Sequence, residues 1–194
     1  RYWRDWSSDV CSSDLTLAPY DQPLDRVTSA HLLRRLTFSP TIEQIESFIG
    51  KTAQEAVTIL LGDPKNEYQP ATPPSWINSA TENPYGADIY TRLQIESQWR
   101  AYHSDLQTWW VQLMMKESKQ SVEKLVHFWS GHFTTEFTYD DSYIPPQILF
   151  RQLAMYRKNR LGNFKQFVEE VTLDSGMLIY LGGIQNTNRK PNEN

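Results

Sequence analysis

The sequence predicts an all-α, multi-helix globular domain. Three observations carry that prediction. Apolar residues recur at three- and four-residue intervals through most of the chain. Most of these runs are bracketed by cap residues in front and by glycine or proline behind. Alternating strand patterns are essentially absent. With 39% apolar and 13% aromatic residues in 194, the chain has enough material for a packed core.

The elements follow in order. SAHLLRRLTF, residues 29–38, opens on Ser29 as an N-cap and stops at Ser39-Pro40, because a residue preceding proline avoids the helical region. TIEQIESFIG starts with a Thr41/Gln44 capping box and ends at Gly50. TAQEAVTILLGDP repeats the plan with Thr52/Glu55, Gly62 and Pro64. These three short helices read as a compact N-terminal unit. Residues 63–86 are proline-rich and aperiodic, a long connection. Asp88 then caps the longest helix, to about Lys116. Its stripe of Ile89, Leu93, Trp99, Tyr102, Leu106, Trp109, Trp110 and Leu113 reads as core. Ser121 begins a helix leading into HFWSGHFTTEF. Pro145-Pro146 starts another, since proline is tolerated in a first turn. Asn163/Gln166 forms a further capping box, and Asp174 caps a last short helix ending at Gly182-Gly183.

Both ends of the chain read as sequence boundaries rather than biological ones. RYWRDWSSDVCSSDL, residues 1–15, has no period, and Asp5 to Leu15 matches the in-frame translation of a common short-read sequencing adapter. Cys11, the sole cysteine, falls within it, so no disulfide or thiol chemistry is expected. Residues 16–194 read as the N-terminal part of one helical domain. At the other end, PNEN looks like a helix start without its helix.

Charge excludes some partners. A net charge of −4 argues against nucleic acid, whose binders carry a basic stripe. The densest basic run, RQLAMYRKNR from Arg151 to Arg160, reads as a solvated helix end favoured by the macrodipole. No apolar run reaches the roughly 18 residues a membrane span requires.

HFWSGHFTTEF, residues 127–137, is the stretch richest in candidate chemistry. Its histidines lie five apart, a poor spacing for two ligands on one helix. His132 and Glu136, at i and i+4, would share a face if the helix survived Gly131 and Thr134-Thr135. Asp140, Asp141 or Glu193 could add further carboxylates. The competing reading makes His132 a buried packing residue between helices, satisfied by a carbonyl or carboxylate, and His127 a rim residue. His31 and His103 carry the same structural reading. Asn192-Glu193-Asn194 could orient a ligand, although capping accounts for these residue types. No nucleophile elbow, P-loop or dinucleotide fingerprint occurs, no metal site is assigned, and no cofactor is specified.

Four signatures line up in order: HLLRRLTFSPT, EKLVHFWSGHFTT, LGNFKQFVEEVTLDSGMLIYLGG and PNEN. Together they resemble the bacterial family catalogued as domain of unknown function 1800, over residues 28–194. The resemblance implies an exported protein, periplasmic or secreted, whose gene often neighbours that of a sulfatase-like partner. It supplies no catalytic residue. Two functions remain open: a binding or assembly component of the cell envelope, or a hydrolase, possibly metal-dependent, using His132 with Glu136, Asp140 or Glu193 as base or ligands.

Overall fold

The computed structural model describes residues 19–62, 72–84, 86–116, 120–139 and 142–191. The adapter-like residues 1–15 with Cys11, the pair Asp140-Asp141, and Asn192-Glu193-Asn194 lie outside them. Among the described residues the fold is all-α, with eight α-helices and one short hairpin.

Three helices open the described chain. They are α1 (Arg26–Leu36), α2 (Ile42–Phe48) and α3 (Ala53–Leu61). The expected boxes cap α2 and α3: Thr41 with Gln44, and Thr52 with Glu55. Helix α1 starts earlier than expected. Asp25, not Ser29, is its N-cap, with a reciprocal box to Thr28. The reason is local, since the Asp25/Thr28 pair satisfies first-turn groups ahead of Ser29, and that start also brings Leu24 beside Lys51 and Gly50, whose backbones exchange hydrogen bonds with it. Gly50 sits at φ +83°, a conformation that glycine adopts without a Cβ penalty. Ser29 is instead fully buried inside the helix. Leu24, Leu33, Phe48, Ala56 and Leu60 form a small core, and α1 and α3 pack on the later helix α5 (Gln120–His132).

The proline-rich connection is partly structured. Ser75–Asn78 makes a 3₁₀ turn that buries Trp76. The Trp76 ring stacks on Tyr102 at 4.7 Å, and its Nε1 donates to Asp105 Oδ2 at 2.7 Å. Trp109 Nε1 donates to the Thr72 carbonyl at 3.0 Å. These contacts pin the connection across α4 (Ile89–Lys116).

The aromatic stripe of α4 is buried only in part. Ile95, Trp99, Leu106 and Leu113 are buried, whereas Ile89 and Leu93 are exposed. Six positions separate Ile89 from Ile95 and Leu93 from Trp99. At 3.6 residues per turn that is about 240° of rotation, enough to leave the buried face.

Helix α5 (Gln120–His132) leads to a two-residue antiparallel hairpin, Thr138–Tyr139 with Ser142–Tyr143. Helix α6 (Pro146–Asn159) starts at the paired prolines, followed by α7 (Phe164–Thr172) and α8 (Ser175–Tyr180). Asn163 accepts from Gln166 N, but the other half of that box is missing, because the Gln166 side chain lies along the helix toward Glu170. Asp174 caps α8 as expected. The larger core gathers Trp76, Leu106, Val126, Ile144, Leu153, Tyr156, Phe167 and Val171 around α6, the helix that packs on α4, α5, α7 and α8. No helix among the described residues is long and apolar enough to cross a membrane.

The basic run is not a solvated end. Arg151 and Lys158 are exposed, but Arg157 and Arg160 are 2% and 5% exposed. The reason is helical phase: Arg157 follows Leu149, Leu153 and Tyr156 on the inward stripe of α6.

Candidate functional site

The HFWSGHFTTEF segment turns two sides to two environments. Its inward side is structural. Trp129 meets Phe167 edge-on at 5.0 Å, stacks near Phe164 at 5.9 Å, and donates through Nε1 to the Arg160 carbonyl at 3.2 Å. Phe133 packs on Phe167 at 5.3 Å, and its carbonyl accepts from Tyr156 Oη at 2.7 Å.

The histidines face outward. His132 closes α5 and is exposed, with ring contacts to Phe128, Trp129 and Phe133. It is therefore not buried between helices, because the helix turns its Trp129 and Phe133 neighbours inward instead. His127 is exposed too, edge-on to Phe38 at 5.7 Å and tilted against Trp110. Glu136 is exposed in the loop beyond the helix end, so the i, i+4 relation no longer aligns it with His132. Among the described residues no hydrogen bond or ion pair joins His132 to Glu136, and no three His, Cys, Asp or Glu side chains converge as metal ligands. Glu193 lies outside the described residues. Phe128, beside His132, and Phe164, which packs on Trp129, are 58% and 56% exposed, and Leu161, three residues before Phe164, is 38% exposed. This is an outward aromatic face.

Sequence reasoning missed two arrangements. The first is a buried ion pair. Arg157 Nε and Nη2 donate to the two carboxylate oxygens of Glu123 at 2.7 and 2.8 Å, and Trp110 Nε1 donates to Glu123 Oε2 at 2.8 Å. The Arg157 guanidinium also lies over the Trp109 ring at 5.2 Å. This is a structural clamp joining α4, α5 and α6, and its sequence trace is the helical phase of Arg157.

The second is a cleft of about 210 Å³ between α4, α5 and α6. Its apolar wall includes Leu106, Leu149 and Leu153, and His103, Ser130, Thr135, Gln152 and Tyr156 supply polar groups. The motif thus contributes Ser130 and Thr135 to a concave surface, while its histidines point elsewhere. Gln152 Nε2 donates to Thr135 Oγ1 and to Asp174 Oδ2, both at 2.8 Å, and the Met177 amide donates to Asp174 Oδ2 at 3.0 Å.

Burial sets the charge states here. His103 stacks flat on Phe137 at 4.0 Å, and desolvation lowers its pKa, so the imidazole is neutral at pH 7. Desolvation raises the Asp174 carboxyl, an effect that its hydrogen bonds with Met177, Gln152 and Gly176 only partly offset. The Tyr156 hydroxyl is held well above its ordinary value by burial first and by the Asp174 charge second. Gly176 lets these groups close up. A Cβ there would stand 2.9 Å from Asp174 Oδ2 and 3.2 Å from Gln152 Nε2, too close for ordinary contact.

Fold and site together define an all-α domain with an outward aromatic face and a small uncharged cleft. The chain belongs to the family described as protein of unknown function DUF1800, whose model matches residues 31–194. No curated protein and no solved structure matches it.

Proposed function

We propose that this protein is a binding or assembly component of the bacterial cell envelope. In this reading it is exported to the periplasm or beyond, and it engages a protein partner encoded by a neighbouring gene. The observation that carries the binding role is the aromatic face of Phe128, His132 and Phe164, which rests on the inward-turned Trp129. Two of its rings are more than half exposed, although large core residues lie directly beneath. Exposed aromatics clustered on a rigid helical base are what protein interfaces use as anchors. The family resemblance supports export and the neighbouring partner.

The test uses the full-length gene product, co-expressed with the protein of the neighbouring gene. Fractionation should place it outside the cytoplasm, and size-exclusion chromatography should show a complex. The double variant Phe128→Ser, Phe164→Ser should stay folded and lose that complex. A cytoplasmic product would refute export. A missing wild-type complex, or a double variant that keeps it, would refute the role of this face.

Hydrolysis by His132 with Glu136, Asp140 or Glu193 is the competing proposal, and His132→Ala separates the two. A hydrolase would lose turnover while its complex survived. A binding face would tolerate loss of the imidazole with at most a modest drop in affinity.

A further inference from the structure

The cleft between α4, α5 and α6 has no part in the aromatic face, and its chemistry is specific enough to define an occupant. We propose that it binds a small uncharged molecule built from one ring or a comparable apolar body and one or two hydrogen-bonding groups.

Size comes first. A cavity of about 150 Å³ accepts benzene. At about 210 Å³, this one has room for a ring with a substituent. It is too small for the drug-sized ligands that fill pockets of roughly 300 Å³ and above.

Charge comes next. Among the described residues, no ionised side chain lines the cleft. His103 is the one titratable lining group besides Tyr156 among the described residues, and burial keeps it neutral at pH 7. The nearby carboxylates are engaged elsewhere: Glu123 by Arg157 and Trp110, Asp174 by Gln152 and the Met177 amide. A charged ligand would lose its hydration shell there without meeting a counter-charge, which is strongly unfavourable.

Hydrogen-bonding capacity gives the polar end. Thr135 Oγ1 accepts from Gln152, and its own proton is directed at Met177 Sδ, 3.6 Å away. A thioether is a weak acceptor, so a ligand hydroxyl or carbonyl oxygen would be a better one. Neutral His103 adds one donor and one acceptor. Leucine side chains and the Trp110 ring supply the apolar body's surroundings.

Phenol is the probe, and benzoate is its charged counterpart. Ligand-observed NMR on the full chain at pH 7 should show saturable phenol binding, with a Kd on the order of millimolar, as expected for so few atoms. Benzoate should bind at least about tenfold more weakly. Ser130→Leu narrows the cleft while keeping a good helix former, and it should weaken phenol about tenfold or more. Thr135→Val should weaken it less. Phe128→Ser, on the outward face, should leave phenol binding unchanged. Retained thermal unfolding establishes that each variant is folded. The proposal fails if wild type shows no saturable binding, if folded Ser130→Leu binds phenol as well as wild type does, or if benzoate binds equally. Since Phe128→Ser is part of the partner test, failure of the aromatic face leaves this result standing, and the converse holds.

Discussion

Arg157 on α6 and Glu123 on α5 meet through two hydrogen bonds, with 2% and 0% of their side chains exposed. Taking both charges out of water is costly, and the pair holds because Glu123 also accepts from Trp110. Glu123→Gln should therefore destabilise the fold by about 3–5 kcal/mol, since it strands a buried guanidinium. Glu123→Leu combined with Arg157→Met should recover most of that loss, less about 1–3 kcal/mol for the abandoned Trp110 N–H. Urea denaturation of the three proteins measures both. A single variant within about 1 kcal/mol of wild type would show that the clamp contributes little.

Gly176 offers a test in which two effects oppose. Alanine is the better helix former by about 1 kcal/mol, so propensity alone predicts stabilisation. Its Cβ, however, would press on Asp174 and Gln152. Overpacking of this kind typically costs about 1–3 kcal/mol, so Gly176→Ala should be destabilising on balance. Thermal unfolding reports the sign, and a stabilised variant would mean that Gln152 swings away freely.

His103 should make stability fall in mild acid. Its folded pKa is lowered by burial from an ordinary value of 6.5. Above that value both states are neutral. As pH falls through it toward the lower folded value, the unfolded chain takes up the proton first and gains stability. His103→Phe retains a flat ring against Phe137 and should flatten this part of the melting-temperature profile. An unchanged profile would assign the acid sensitivity to other groups.

Asp174 should act in the opposite direction. Its folded pKa is raised above 3.8, so as pH rises through that value the unfolded carboxyl ionises first and native stability declines. Asparagine is an equivalent N-cap. Asp174→Asn should hence be at least as stable as wild type at pH 7, with the advantage shrinking toward pH 3. A variant weaker at neutral pH that converges with wild type in acid would show that the carboxylate is net stabilising.

The site was less legible than the fold. HFWSGHFTTEF carries Ser130 and Thr135 beside its histidines, yet nothing in their spacing shows that α4 and α6 close a cleft over them. Gln152 and Asp174 lie 22 positions apart and meet only through the packing of α6 on α8. Glu123 gave no periodic signal, because a carboxylate on an apolar helix is indistinguishable from a solvated one until its partner is known.

The sequence by itself determined the all-α class, the family, and the helix starts at Thr41, Thr52, Asp88, Pro145 and Asp174, because caps and prolines act on backbone groups within one turn. Tertiary structure decided which side each helix turns inward. It exposed His132 and Leu93, buried Arg157, and made a cleft beside His103. Local signals place a helix along the chain, but its rotation about its own axis is set by the neighbours against which it buries apolar surface, and those neighbours are distant in sequence.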